Sequence, residues 1–308
     1  MAVLITGGSG MVGHAFKSVL PDAAYVSSEQ YDLRSLKETQ DMFSAFKPEC
    51  VIHLAAKVGG VMANSEMVAD FYTENTQINT NVLYCAHKHN TKKVVSFLST
   101  CVYPDDVSYP LTEDQLHLGA PHPSNFGYAY AKRMVDTMSR AYRQQYGRNF
   151  ITAIPNNLYG ENDNYHLQDG HVIPALMNRI WYAKINNLPE VECWGDGLPR
   201  REFTYSGDAA EILVFLLENY NGESPVNIGN TEEYSIKEVV GLLCEYLEYD
   251  GEIKWNTDKP SGQFRKPSSN EKLIDMGWKR EWYTPVREGL KKSCEWFIMN
   301  YPNVRGVE

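Results

Sequence analysis

The sequence predicts an α/β fold, a doubly wound parallel sheet with a smaller, discontinuous lobe toward the C-terminus. A β-branched apolar run at residues 3–6 stops at a glycine cluster, and an amphipathic run follows at 14–20. This is the pattern of a strand, a tight turn and a helix. Apolar runs at 23–26, 51–56 and 92–98 then alternate with helical patterns. Such alternation is typical of parallel sheets, whose ligands lie at the carboxyl ends of the strands.

Composition and charge narrow the class of protein. With 308 residues, 43% of them hydrophobic and 22% charged, the chain has the balance of a globular protein. Its net charge of −10 disfavours nucleic acid and anionic membranes as partners, although a few local arginines can still bind an anionic small substrate. No apolar run approaches the roughly 20 residues of a membrane span.

The spacing of the cysteines and the N-terminal residues indicate the cellular compartment of the protein. The six cysteines lie far apart and form no Cys-x-x-Cys pair, so we expect neither a metal site nor a disulfide framework. No basic region precedes the first strand, so we expect no signal peptide. Together these features predict a cytoplasmic protein.

The turn after the first strand matches the dinucleotide-binding fingerprint. One glycine permits the turn, one lets a pyrophosphate approach the backbone, and one lets the helix pack close to the strand. The helix N-terminus then offers free N–H groups and a positive dipole end to the phosphates. An ordinary β–α turn is the alternative, but the position directly after an apolar strand favours the fingerprint. We expect cofactor contacts from Gly7, Gly8, Ser9, Gly10, Met11, Val12 and Gly13.

The end of the second strand bears on the choice between NAD and NADP. NAD-specific sites usually place an acidic residue there to hold the ribose 2′-OH, whereas this chain has two serines, with an arginine shortly after. Hydroxyl groups and a cation suit a 2′-phosphate better, so we expect NADP(H); the alternative is a plain polar loop. The expected contacts are Ser27, Ser28, Asp32, Leu33 and Arg34.

Two further strand ends are expected to border the cofactor. The strand at 51–56 ends in small residues, which let a cofactor lie across it, and the strand at 151–154 runs into a polar segment. The expected contacts are Leu54, Ala55, Ala56, Pro155, Asn156, Asn157 and Leu158.

A tyrosine and a lysine four residues apart follow a serine at a strand end. Ser99 ends the strand at 92–98, and Tyr128 and Lys132 share one face of a helix. A lysine ammonium beside a phenol lowers the tyrosine pKa, which makes the phenol a usable proton donor to a carbonyl that is reduced by hydride. A surface pair is the alternative, and the preceding dinucleotide pattern favours catalysis.

A shift in composition marks the expected start of a substrate-binding lobe. The shift falls near residue 160, and a later turn within this lobe carries Trp194, Arg200 and Arg201. Arginines suit a pyrophosphate and tryptophan offers a wall for a base or sugar, with solvated charge as the alternative. The expected division is a Rossmann-type NADP-binding domain at 1–160, onto which about 203–222 packs back, and a substrate lobe at 161–202 and 223–308.

Several motifs in this order resemble one enzyme family. The glycine turn and Tyr-x-x-x-Lys indicate extended short-chain dehydrogenase/reductases, and three narrower segments resemble the GDP-L-fucose synthases among them. These are Ala-Lys-Val-Gly-Gly at 56–60, the cysteine after Ser-Thr at 99–101, and His-Val-Ile-Pro at 171–174. The resemblance runs from the glycine turn to the last helix.

The resemblance implies an epimerase and reductase in one site. It implies conversion of GDP-4-keto-6-deoxy-D-mannose to GDP-L-fucose, by C3 and C5 epimerisation and NADPH-dependent reduction at C4. Cys101 and His171 match the acid–base pair of the epimerisation, in an order left open, and His171 also borders the cofactor. Tyr128 and Ser99 match the groups at the C4 oxygen, and Lys132 matches the residue that holds the nicotinamide ribose.

The same resemblance implies substrate contacts and a homodimer. Arg179, Trp194, Arg201 and Lys266 match positions at the GDP moiety, and the dimer helices are expected at 71–89 and 132–146. Two positions depart from the family pattern. Ser9 stands where an arginine is common, which leaves the 2′-phosphate to Ser27, Ser28 or Arg34, and Ser261 precedes Gly262 where an aspartate is usual.

Two kinds of alternative stay open. One is a nucleotide-sugar 4-epimerase, 4,6-dehydratase or 4-ketoreductase of the same fold; the other is a non-catalytic NADP-sensing scaffold. Dehydratases usually carry acidic residues where this chain has Thr100 and Cys101, which counts against that member of the first group. The complete set of reactive side chains counts against the scaffold.

Overall fold

The computed structural model describes residues 1–258 and 264–307. The departure at Ser261 and Gly262 lies outside the described residues. The strands are β1 (Val3–Thr6), β2 (Ala24–Val26), β3 (Cys50–His53), β4 (Lys93–Phe97), β5 (Asn149–Ile154), β6 (Asn157–Tyr159), β7 (Glu190–Trp194), β8 (Arg200–Tyr205), β9 (Val226–Asn227), β10 (Glu233–Ser235) and β11 (Glu252–Asn256).

Helices connect these strands. They are α1 (Met11–Val19), α2 (Leu36–Phe46), α3 (Val61–Glu66), α4 (Val68–Lys88), α5 (Phe126–Tyr146), α6 (Val172–Ile185), α7 (Ser206–Asn219), α8 (Ile236–Tyr246), α9 (Glu271–Asp275) and α10 (Val286–Asn300). No helix among the described residues is long and apolar enough to span a bilayer.

The main sheet has six parallel strands in the order β2-β1-β3-β4-β5-β9. Successive strand residues point to opposite faces, so Ile5 and Ile52 pack with α1 and α7 while Leu4 and Val51 pack with α2, α4 and α5. Both faces are therefore covered by helices, as a parallel sheet requires. The predicted doubly wound α/β fold is confirmed.

The direction of winding places a crevice at one edge of the sheet. The chain leaves β1 for β2 on one side and then crosses to β3 on the other side of β1. The connections that follow β1 and β3 therefore run in opposite directions from the carboxyl ends of these two neighbouring strands. Such a position is called a topological switch point, and ligands of open α/β sheets bind there.

A second core lies beyond β5. The β10-β8-β6 sheet and the β11-β7 pair belong to it, and α6, α8 and α10 contribute Ile180, Leu243 and Phe297, each fully buried. The chain returns to the main sheet through α7 and also through β9, which pairs with β5. Leu273, Trp278 and Tyr283 likewise pack in the first core. The division at residue 160 stays a prediction; besides the expected segment at 203–222, β9 and residues 273–283 also pack on the first core.

Candidate active site

A cavity of about 1210 Å³ opens at the carboxyl ends of the main sheet and extends between the two cores. Most of the expected site residues border it. They are Gly7, Ser9, Gly10, Met11, Val12, Gly13, Ser27, Ser28, Asp32, Leu33, Arg34, Leu54, Ala55, Ala56, Ser99, Tyr128, Lys132, Pro155, Asn156, Asn157, Leu158, His171, Arg179, Trp194 and Arg201. Gly8, Cys101 and Lys266 are not among the residues that border it.

The glycine turn is built as a close-packed cradle. Gly7 has φ +73°, and a Cβ there would lie 2.9 Å from the Ala55 nitrogen. A Cβ on Gly13 would lie 2.4 Å from the Gly7 carbonyl oxygen, so glycine alone lets α1 approach this closely. Gly8 packs on Tyr25, where a Cβ on the glycine would lie 2.8 Å from the Tyr25 Cβ. Gly10 caps α1 without a side-chain bond, which leaves the first N–H groups facing the crevice.

The charged residues at the end of the cavity near β2 are joined by hydrogen bonds to one another. Arg34 donates from Nε to Asp32 at 2.9 Å and from one terminal nitrogen to Glu74 at 2.9 Å. Glu74 also accepts from the Lys57 ammonium at 2.5 Å. These bonds hold the pKa of Asp32 and of Glu74 below their usual range. Arg34 therefore borders the cavity with its charge already balanced, while Ser27 and Ser28 border it without charge.

A buried chain of hydrogen-bonded polar side chains lies next to residues that line the cavity. His53 Nδ1 and Thr6 Oγ1 are 2.8 Å apart, and His53 Nε2 and Asn79 Oδ1 are 3.0 Å apart. Asn79 donates onward to the Ala131 carbonyl. Burial and the nearby Lys132 charge lower the pKa of His53 to about 3, so the imidazole is neutral, accepts from Thr6 and donates to Asn79. This chain joins β1, β3, α4 and α5.

The segment after β4 carries Ser99 and Cys101 on a single 3₁₀ turn. Ser99 Oγ accepts from the Cys101 backbone N–H at 3.4 Å, and the Arg133 guanidinium donates to the carbonyls of Val102 and Gly119. Desolvation raises the pKa of the Cys101 thiol, against the lowering influence of Ser99 and of Lys266. Shielding from water thus opposes the thiolate form of Cys101, while its hydrogen-bonding and charged neighbours favour it.

Tyr128 and Lys132 lie together, as their spacing predicts. The Lys132 ammonium is 5.9 Å from the centre of the Tyr128 ring and donates to the Phe97 carbonyl at 2.8 Å. Burial lowers the pKa of Lys132 to about 8 and raises the pKa of Tyr128. The prediction that Lys132 lowers the pKa of Tyr128 is therefore wrong, since desolvation outweighs an ammonium that is bonded elsewhere.

The far end of the cavity is aromatic and cationic. The Arg179 guanidinium lies 5.7 Å from the Trp194 ring centre and donates to the Glu192 carbonyl at 2.9 Å. Arg201 reaches the cavity from β8, while the next residue, Glu202, turns to the interior and accepts from the Ser268 backbone at 2.9 Å. Alternation along the strand thus directs the arginine into the cleft.

Two expected contacts have additional structural tasks. The Asn156 amide accepts from Thr204 at 2.6 Å and donates to the Asn230 carbonyl at 2.7 Å, so it fastens β8 to the main sheet. Lys266 lies beside Cys101 and Arg201, and burial lowers its pKa. It does not border the cavity.

The NAD dependent epimerase/dehydratase family model matches residues 3–229, which include the glycine turn, Ser99, Tyr128 and Lys132. The chain belongs to this family. A curated relative named GDP-L-fucose synthase, from Dictyostelium discoideum, is 43% identical over 98% of this chain and 97% of its own.

Solved structures of the family share the whole architecture. A GDP-L-fucose synthetase from Naegleria fowleri bound to NADP matches with a TM-score of 0.92 at 36% identity, over 99% of this chain and 94% of that one. A GDP-6-OMe-4-keto-L-xylo-heptose reductase from C. jejuni matches with a TM-score of 0.90 at 28% identity, over 97% and 98%. The two lobes and the cleft between them are thus common to family members that act on different sugars.

Sequence reasoning missed several residues that border the cleft of this family member. They are Lys57, Glu74, Asp163, Trp255 and Arg305. Trp255 packs its ring on Gly197, where a Cβ would lie 2.6 Å from the indole. Lys57 lies inside a family-specific segment and Asp163 inside a polar loop, which were usable signals. Glu74 and Arg305 carry no local signal, because tertiary packing alone brings them to the site.

Proposed function

We propose that this protein converts GDP-4-keto-6-deoxy-D-mannose to GDP-L-fucose with NADPH. The observation that carries the proposal is one cavity that Ser99, Tyr128, Lys132 and His171 border, with Cys101 two residues after Ser99 on the same 3₁₀ turn. Tyr128 and Lys132 suit carbonyl reduction, and Cys101 and His171 suit proton exchange beside a ketone. Full-length relatives that carry the name GDP-L-fucose synthase support the same reaction.

The residues present fit the phosphate groups of NADP. The cradle between Gly7 and Gly13, which any Cβ would fill, admits a pyrophosphate against the first N–H groups of α1. We assign the 2′-phosphate of the adenosine ribose to Ser27, Ser28 and Arg34. To bind it, the Arg34 guanidinium would give up part of its hydrogen bonding to Asp32. Bound NADPH supplies the hydride for C4.

The reduction needs a proton at the C4 oxygen. Because burial raises the pKa of Tyr128, the phenol keeps its proton at neutral pH and can donate it. Ser99 offers a second donor to the same oxygen, which also stabilises the enediolate of the epimerisation step. Lys132 holds the ribose near the Phe97 carbonyl to which it now donates.

The epimerisation needs one group to remove a carbon-bound proton and another to return one from the opposite face. We assign these tasks to Cys101 and His171, in either order. Desolvation favours the Cys101 thiol, while the charges of Lys266 and Lys132 favour the thiolate. These opposing influences suit a group that gives up and regains a proton.

The GDP moiety is assigned to the aromatic and cationic end of the cavity. Arg179 and Arg201 suit the pyrophosphate, and Trp194 and Trp255 offer ring faces for the base or ribose. Lys266 contributes through its charge beside Arg201 and Cys101.

A plain 4-ketoreductase of a GDP-sugar is the second candidate, and the likeness to the heptose reductase favours it. Reduction alone requires Tyr128 and Lys132 and gives no task to Cys101 or His171. The two candidates therefore differ in whether carbon-bound hydrogen exchanges with solvent.

The deciding experiment supplies GDP-4-keto-6-deoxy-D-mannose and NADPH in D₂O. Nicotinamide absorbance follows the reduction, and NMR of the product follows deuterium. We expect NADPH oxidation and deuterium at C3 and C5 of a GDP-fucose product. Oxidation without deuterium would establish the ketoreductase, and no turnover would contradict both.

We further propose a cytosolic homodimer. An apolar groove between α4 and α5 presents Tyr72, Phe126 and Tyr130, each more than 40% exposed, and this face suits pairing with the same face of a second copy. All six cysteines are free thiols, which suits a reducing compartment.

A further inference from the structure

One carboxylate joins two cations at the end of the cavity near β2. The Glu74 Oε2 accepts from the Arg34 guanidinium at 2.9 Å, and its Oε1 accepts from the Lys57 ammonium at 2.5 Å. Arg34 follows β2 and Lys57 follows β3, whereas Glu74 lies on α4. Ile78, one helical turn after Glu74, borders the cavity too, so this face of α4 is directed toward the cavity. Glu74 thus connects the segments that follow β2 and β3.

Helix α4 also fixes the backbone of both cationic residues. The Asn75 side chain accepts from the Lys57 backbone N–H and donates to the Lys57 carbonyl, both at 3.0 Å. The Asn81 side chain donates to the Arg34 carbonyl at 3.0 Å. Because both backbones are anchored, less conformational freedom is lost when the two cations bond to Glu74 than in a pair of mobile surface side chains.

The charges at this end of the cavity balance one another. Among the described residues that border it after β1, β2 and β3 and on α4, Arg34 and Lys57 are the only cations. The pKa of Asp32 and of Glu74 is held below its usual range, so both are carboxylates at neutral pH and match the two cations in number. A phosphate that binds here therefore meets no excess of positive charge unless a carboxylate gives up its cation.

We propose that Glu74 determines how strongly this protein prefers NADPH to NADH, by competing with the 2′-phosphate for Arg34 and Lys57. The inference rests on the proposed function, which assigns that phosphate to Ser27, Ser28 and Arg34. The two cofactors differ only in this phosphate. A carboxylate that competes with it lowers the affinity for NADPH and leaves the affinity for NADH nearly unchanged.

Glu74 is the carboxylate of this network that can be changed without reshaping the turn after β2. Asp32 also accepts from the Arg34 backbone N–H at 3.0 Å, so its replacement would disturb the turn itself. The Glu74 side chain is 25% exposed and reaches the side chains of Arg34 and Lys57. Glu74→Gln keeps the size of the side chain and one oxygen acceptor but removes the charge, so it weakens the hold on both cations.

The first test measures the affinity of the full-length protein for NADPH and for NADH by fluorescence titration. In Glu74→Gln we expect the Kd of NADPH to fall about fivefold, as expected when two partly exposed ion pairs are released. The Kd of NADH should change by less than about twofold.

Glu38→Gln is the matched control for the loss of a negative charge. The Glu38 carboxylate accepts from the Asp32 backbone N–H at 2.7 Å, and Glu38 does not border the cavity. The variant keeps an oxygen acceptor for this bond and leaves the Arg34 side chain bonded as before. The ratio of the two Kd values should therefore stay at the wild-type value.

A double variant tests whether Glu74 acts through Arg34. Arg34→Gln alone should weaken NADPH binding and leave NADH binding in place. In the combined Arg34→Gln and Glu74→Gln variant, the gain in NADPH affinity from the second change should be smaller than in the wild-type background, because only Lys57 remains to be released. An unchanged or lower preference for NADPH in Glu74→Gln, an equal change in Glu38→Gln, or the same gain in both backgrounds would each overturn the proposal.

The same variants separate this inference from the proposed function. If Arg34→Gln lowers the preference for NADPH and Glu74→Gln leaves it unchanged, this inference alone is wrong. If Arg34→Gln keeps the wild-type preference, the phosphate site assigned under the proposed function is wrong, and this inference fails with it. Absence of turnover of the keto sugar contradicts the proposed reaction, whereas the cofactor titrations still decide the role of Glu74.

Discussion

Burial sets the protonation state of the reactive side chains. It raises the pKa of both Tyr128 and Cys101 and lowers that of Lys132 to about 8. Each of the three shifts disfavours the charged form, as expected for groups removed from water. At neutral pH Tyr128 and Cys101 therefore keep their protons, and Lys132 stays mostly protonated.

Tyr128 and Cys101 have separable tasks, and reciprocal variants test this. Tyr128→Phe should lower NADPH oxidation by roughly 10²- to 10⁴-fold, the usual contribution of a positioned proton donor, while deuterium exchange at C3 and C5 continues. Cys101→Ser should abolish exchange at a sugar carbon and leave NADPH affinity unchanged. Absorbance, product NMR and fluorescence titration of NADPH provide the three readouts. Unchanged NADPH oxidation in Tyr128→Phe would refute its role, and equal loss of exchange and affinity in Cys101→Ser would indicate a collapsed site.

At the scale of elements, the hydrogen bonds from Thr6 through His53 to Asn79 join β1 and β3 to α4 and α5. The pKa of His53 is about 3 in the folded protein and about 6.5 in an unfolded chain. The unfolded state therefore binds more protons below pH 6.5. The contribution of His53 to stability is full above pH 6.5 and is lost as pH falls toward 3.

The stability of the protein should therefore be sensitive to acid, and a substitution of His53 should reduce that sensitivity. Between pH 7 and pH 5 the free energy of unfolding should fall by about 2 kcal/mol through His53 alone. Urea unfolding at the two pH values measures this loss, and His53→Gln should show a correspondingly smaller loss. The exposed His89 provides the control, because His89→Gln should lose as much as wild type. A wild-type loss in His53→Gln would contradict the assignment.

The elements near the glycine turn could be predicted from sequence because their signals are local. Strand, turn and helix at 3–20 and the Tyr-Lys spacing follow from patterns only a few residues long. The pairing of Arg34 with Glu74 and the contact of Arg305 with the loop of Asp163 could not be predicted, since each joins residues far apart in sequence. The pKa of Tyr128 was predicted in the wrong direction because burial depends on every element that covers a side chain.

At the scale of the whole molecule, the face of α4 and α5 is expected to control assembly. Tyr72 is 47% exposed on this face, and Tyr72→Glu would place a charge within the proposed dimer contact. Sedimentation equilibrium should show a dimer for wild type and a monomer for the variant. Tyr182→Glu, at a tyrosine 54% exposed on α6, should remain dimeric. A monomeric wild type, or dissociation of both variants, would contradict the proposed interface.

The two ends of the described chain lie in very different surroundings. Met1 and Ala2 lead into the amino end of β1, opposite the edge where the cleft opens, whereas Arg305 borders the cleft and Gly306 packs beside it. An affinity tag or fluorescent fusion joined after residue 307 would emerge beside the cleft and crowd its entrance. The same fusion placed before Met1 would leave the cleft free, so immobilised or labelled forms of this protein are best built from that side.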